Sequence, residues 1–244
     1  MLRLILILIL GLALPARAAP PALVGAAADL RLVLPPLVRA HQGDGGAPVL
    51  TVSFGSSGQM VQQALAGAPF ELLLLADSAY ADRLAAAVPG CVRRPYALGR
   101  LALVARPGSG VSDLASLKAA IAAGRVRHLA IANPEHAPYG QAARAVLAGL
   151  GLADSAALVL GDNVAQALSF VTSGAAEAGI VALPLARAGA PGLRIVPLSP
   201  ALHRPLVQTL VLLPNAGPAA NALADRLTGA SGRRALHAAG FGLP

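Results

Sequence analysis

The chain has 244 residues, enough for one large domain or two modest ones with a real core. Hydrophobic residues make up 56% but aromatics only 3%, with no Trp, which argues against recognition of nucleic acid or carbohydrate by stacking and leaves Ala, Leu and Val to build the core. The formal charge of +8 is spread along the chain on arginines, with Lys118 the only lysine and no basic run longer than Arg93-Arg94 or Arg233-Arg234, so it does not make a nucleic-acid patch.

Met1 to Ala18 has the three parts of a secretory signal: Arg3 as a positive n-region, Leu4 to Leu14 as an apolar h-region, and Ala16-Arg17-Ala18 as a cleavage site. The apolar run is short for a bilayer span, so the segment predicts export to the periplasm as a soluble protein. Cys91 is the only cysteine and reads as an idle thiol in a turn region; without a disulfide, an exported chain must draw its stability from packing.

Ala22 to Ala27 reads as a strand ending at Ala28-Asp29. A helical segment follows to about Ala40, and Pro35-Pro36 either kink it or delay its start. After a turn at Gly43 to Pro48 comes a strand from Val49 to Phe54, the turn Gly55-Ser56-Ser57-Gly58, and a helix from Gln59 to Ala66. Leu72 to Ala76 is the next strand, Asp77 caps a helix to Ala87, and Tyr96 to Arg106 reads as one buried strand. Ser112 or Asp113 caps a helix to Ala122, and Arg127 to Ala132 is a strand broken by Asn133-Pro134. Glu135 to Gly140 reads as a turn before the helix Gln141 to Leu150. Leu158 to Leu160 is a strand, Asp162 or Asn163 caps the helix Val164 to Ser173, and Ala178 to Ala182 is a buried strand. Strands at Ile195 to Leu198 and Val207 to Leu213 precede two closing helices, Pro218 to Leu227 and Gly232 to Ala239.

Alternation of this kind predicts an α/β fold with mostly parallel sheets, whose ligands bind at turns following the strands' carboxyl ends. Four turns qualify: Ala28-Asp29, Ser56-Ser57, Pro138 to Gly140, and Gly161 to Val164. The glycine-serine turn offers hydroxyls and the first N–H groups of a helix, which together favour an anion. His41, His128, His136, His203 and His237 have no metal-ligand spacing, so no metal cation or other cofactor is expected.

These turns and the words between them resemble the periplasmic molybdate-binding proteins of ABC importers, within the type II extracellular substrate-binding family. The words are AAADL from Ala26, SFGSSGQMVQQALAGAPFELLLLAD from Ser53 and LGRLALVARPGS from Leu98; they continue with LAIANPEHAPYGQAARAVLAGLGL from Leu129, DNVAQALSFVTSGAAEAGIVAL from Asp162 and GRRALHAAGFG from Gly232. The resemblance implies a two-lobe fold with lobe one at residues 20–98 and 207–244, lobe two at 99–206, and a cleft between them. It implies a tetrahedral oxyanion, molybdate or tungstate, held by hydroxyls and backbone N–H groups rather than cations, and an ABC permease as partner. Carried over by position, the contacts are the Ala28-Asp29 backbone, the Ser56-Ser57 turn with the Ser57 hydroxyl and N–H, and the N–H groups of Tyr139 and Val164.

Two positions depart from the pattern. Ala182 stands where many relatives have a Tyr hydroxyl, for which Tyr139 is a candidate substitute, and Asp29 stands where they have Ser or Asn. A carboxylate about 4 Å from a dianion costs roughly 8 kcal/mol at an effective dielectric of 20. Asp29 therefore points away as a helix cap, is protonated, or signals another ligand; capping is the expectation. Two other classes stay open on the sequence alone: an anion-sensing subunit, and a serine hydrolase built from Ser57, His136 and Asp77, although GSSG is not the G-x-S-x-G elbow.

Overall fold

A computed structural model describes residues 21–42 and 49–244; the signal-like segment and the turn at 43–48 lie outside the described residues. The first lobe begins with β1 (Ala22–Ala27), a 3-10 turn (Ala28–Leu30) and α1 (Leu34–Gln42). Pro35 and Pro36 occupy the first turn of α1, where a missing N–H costs nothing, so the helix starts late and does not kink there. β2 (Leu50–Gly55), α2 (Ser57–Leu65), β3 (Phe70–Leu75), α3 (Ser78–Ala87) and β4 (Val92–Gly99) follow.

The chain then enters a second sheet with β5 (Leu101–Ala105), α4 (Leu114–Ala122), β6 (Leu129–Ala132), α5 (Pro138–Gly149), β7 (Leu158–Gly161), α6 (Val164–Ser173), β8 (Ala178–Ala182), α7 (Leu183–Gly189) and β9 (Arg194–Pro197). It returns through β10 (Leu206–Leu212) and ends with α8 (Pro218–Thr228) and α9 (Ala230–Ala239). Among the described residues no helix is long and apolar enough to cross a membrane.

The two sheets share one plan. Their orders are β2-β1-β3-β10-β4 and β7-β6-β8-β5-β9; in each, three strands pair parallel and the last two add antiparallel. The sheets are thus mixed rather than mostly parallel, because β10 and β5 each enter from the other sheet and run against their neighbours. The apolar run expected as one strand from Tyr96 to Arg106 is two strands in two sheets, divided at Arg100. Hydrophobicity alone does not reveal that break, since residues on both sides of it are fully buried.

β3 shows how the core is built. Leu72 and Leu74 face a cluster with Leu30, Leu34, Leu223 and Leu227, while Leu73 and Leu75 face another with Met60, Val61, Ala81 and Leu84. Both faces are covered, so the strand is a continuous leucine run, and each fully buried leucine contributes about 1.5–3 kcal/mol. α7 is an additional helix that the sequence reading lacks. Its start, Leu183-Pro184, carries the early-proline signal that would have marked it.

Candidate functional site

The ends of β1, β2 and β3 in the first lobe face the starts of α5 and α6 in the second, around a narrow cavity with free space of only about 10 Å³. Its lining includes Ala28, Asp29, Ser56, Ser57, Tyr139 and Val164, so the structure brings all six candidate residues together, with Ala76 and Asn163 beside them. The cavity is smaller than a drug-sized pocket and has no Lys or Arg in its wall. A larger, open recess of about 790 Å³ lies between residues 106–112 and 192–194, and none of the strand-end turns reaches it.

Three helices begin at the cavity, and each leaves an N–H uncommitted. In α2, Ser56 is the N-cap: its hydroxyl accepts from Gln59 N–H, and the Gln59 side chain returns a bond to the Ser56 N–H. In α6, Asn163 Oδ1 accepts from the N–H groups of Ala165 and Gln166. α5 starts at Pro138, three residues before the predicted helix; it has no side-chain cap, and the Ala137 carbonyl accepts from Gly140 and Gln141. That places Tyr139 inside the first turn rather than in a loop. Among the described residues, the N–H groups of Ser57, Tyr139 and Val164 have no acceptor. These are the orphan donors of helix starts, at the positive ends of three helix dipoles.

Ser57 adds a hydroxyl. Its Oγ accepts from Ala76 N–H at 2.9 Å, which leaves the hydroxyl proton to donate. Gly140 lets α5 come close: a Cβ there would lie 2.2 Å from the Ala132 carbonyl oxygen. The lobes also touch directly. Gly58 N–H donates to the His136 carbonyl at 2.9 Å, Ser56 Oγ lies 2.9 Å from His136 Nδ1, and Gln141 Nε2 donates to the Tyr80 hydroxyl at 3.3 Å.

Asp29 is not a helix cap. It lies in the 3-10 turn after β1, makes no capping bond, is fully buried, and lines the cavity. Its Oδ2 accepts from Gln208 Nε2 at 2.7 Å, whereas Oδ1 is buried with no partner among the described residues. Burial raises the carboxyl to about 7, outweighing the opposing influence of the Tyr139 hydroxyl, Gln208 and the nearby N–H groups of Asp29 and Leu30. Gln208 also accepts from the Tyr96 hydroxyl at 2.9 Å and donates to the Tyr139 hydroxyl at 3.3 Å. The Tyr139 hydroxyl is thereby drawn into this buried network. Ala182 pairs with Leu101 in the second sheet and is absent from the cavity wall.

The hydrolase arrangement does not form. His136 meets Ser56 rather than Ser57; Asp77 caps α3 by accepting from Ala79 N–H and pairs with Arg204. Cys91 is half-buried against the first-lobe core, and burial pushes its thiol up, away from nucleophilic use. Tyr96, Gln208 and Ala76 are the contributors the sequence reading missed. Gln208, a lone amide in the apolar strand LVQTLVL, was the available signal.

The family model for bacterial extracellular solute-binding proteins matches residues 22–242. The chain belongs to this family. It is therefore a binding protein and not an enzyme. This solute-binding protein is 37% identical to the molybdate-binding protein ModA of Azotobacter vinelandii over 99% of its own length and 97% of that protein's. It is also 37% identical to ModA of Rhodobacter capsulatus, over 72% of this chain and 69% of that one. The solved structure of the Azotobacter vinelandii periplasmic molybdate-binding protein superposes with a TM-score of 0.79 at 32% identity, covering 91% of this chain and 99% of that one.

Proposed function

We propose that this protein captures a tetrahedral oxyanion, molybdate or tungstate, between its two lobes in the periplasm and delivers it to an ABC permease. The observation that carries the reading is the set of uncommitted donors: three helix-start N–H groups and the Ser57 hydroxyl around one small cavity without a cation. A desolvated dianion is stabilised there by neutral dipoles from both lobes, each charge-assisted bond contributing roughly 1.5–3 kcal/mol. The full-length similarity to proteins named for molybdate supports the choice of anion. The lobes are taken as residues 20–98 with 207–244, and 99–206, so that ligand donors come from both and closure completes the site.

The test is calorimetric titration of the purified protein with molybdate, tungstate, sulfate and phosphate. Molybdate and tungstate bind with dissociation constants well under about 1 mM, and failure of all four anions to reach that level ends the reading. Ser57→Ala lowers molybdate affinity by roughly 10- to 100-fold, the worth of one charge-assisted bond. It also strips Ala76 N–H of its acceptor, costing about 1–3 kcal/mol in urea unfolding. Unchanged affinity in that variant removes the hydroxyl from the site.

A further inference from the structure

Asp29 is the one acidic group in a cavity otherwise made for an anion, and the oxyanion reading has to account for it. Its Oδ2 is held by Gln208, and its Oδ1 is buried without a partner among the described residues. Left ionised, it would face the dianion with like charge in a site that has no cation to offset it. Protonated, the same oxygen becomes a donor, as the other groups around the cavity are. We propose that Asp29 holds the anion as a neutral carboxylic acid, Oδ1–H donating to an anion oxygen, so that an anion captured from alkaline solution brings one proton with it. The balance is simple: carboxylate, solvent proton and dianion combine into a hydrogen-bonded acid–anion pair, and release returns the proton to solvent.

The surroundings favour this assignment. Of the elements packed on the Asp29 turn, α6 and β2 carry no charged residue, and α7 carries Arg187, whose side chain lies against Gly240. Neighbouring Arg31 lies over the Phe54 ring. The titratable groups that do face Asp29 are the buried hydroxyls of Tyr96 and Tyr139, both pushed further from ionisation by burial and by Asp29 itself. His136, hydrogen-bonded to Ser56 on the cavity wall, and Asp77, which follows Ala76 of that wall and is paired with Arg204, are further titratable groups nearby. The carboxyl already lies near neutrality, at about 7, so the proton comes at little cost below that pH and at growing cost above it.

This inference rests on the oxyanion reading, and one experiment separates the two. Sodium molybdate is titrated calorimetrically into the protein between pH 6 and 9, in two buffers of different ionisation enthalpy. The expected result is proton uptake approaching one per anion at the alkaline end and an affinity roughly 100-fold weaker at pH 9 than at pH 6. Asp29→Asn, whose amide donates at every pH, loses the slope and binds roughly tenfold or more tightly than the parent chain at pH 9. Binding with a flat pH profile and no proton uptake overturns the proton-linked role alone. A slope retained in Asp29→Asn moves the proton to another group and overturns it too. Absence of binding at every pH overturns the oxyanion reading together with it.

Discussion

Gly58→Ala weakens molybdate binding roughly 1000-fold while leaving the melting temperature of the protein without molybdate within a few degrees of the parent's. A Cβ at Gly58 would lie 2.7 Å from the His136 carbonyl oxygen and about as near its Cα and Cβ, all in the other lobe. The nearest atoms include backbone and cannot step aside, and the Gly58 N–H bond to the same carbonyl would be displaced as well. Within its own helix the change is neutral or favourable, since alanine exceeds glycine in helix propensity by about 1 kcal/mol. The damage therefore falls on the approach of the lobes. With the lobes apart, Ser57 no longer shares an anion with Tyr139 and Val164; two charge-assisted bonds, together about 3–6 kcal/mol, are lost. Calorimetry with molybdate, paired with thermal unfolding, checks both halves. Parent-like affinity would show that binding does not need this contact.

At pH 8, Asp29→Asn raises the unfolding free energy in the absence of molybdate by about 4 kcal/mol at most. The carboxyl stands near 3.8 in the unfolded chain and about 7 in the folded one, and each unit between them corresponds to about 1.4 kcal/mol. Between those two values the native protein holds a proton that the unfolded chain has released, so the parent loses stability as pH rises through this window and holds a constant deficit above it. The amide has no charge to bury and can still accept from Gln208 through its oxygen. Urea unfolding at pH 5 and pH 8 should show the variant's advantage growing with pH. An equal advantage at both pH values, or none, would mean that Asp29 is not carrying a buried charge.

The elements and the cavity wall were legible in the sequence for a physical reason. The glycine-serine turn and Asn163 each announce a helix start by their own chemistry, whereas Pro138, which begins the third, reads as part of a turn before Gln141. What was hidden is non-local. Asp29 reads as a cap because Asp before a helix usually is one, and only the return of β10 brings Gln208 against it, 179 residues away in sequence. The split of the strand at Arg100 is hidden likewise, because the change of sheet leaves the apolar pattern uninterrupted. His136 belongs to the same class: a histidine in a proline-broken loop gives no sign that its carbonyl and ring will meet the first turn of α2.

The leucine run of β3 has a consequence for how the chain finds its fold. In most strands a slip by one residue throws apolar groups into water, and this error enforces the alignment. β3 is buried on both faces, so a one-residue slip exchanges one leucine for another and the strand's own hydrophobicity is nearly blind to it. The neighbouring strand instead makes room for these leucines at one point. Gly25 of β1 pairs with Leu73, and a Cβ at Gly25 would lie only 2.5 Å from a Leu73 methyl carbon. The absent side chain leaves the space that Leu73 fills, with Met60 and Phe70 closing on the same spot. A single glycine thereby lets β1 lie close against the strand whose last residues deliver Ala76 to the anion cavity, and any side chain there would push the two apart.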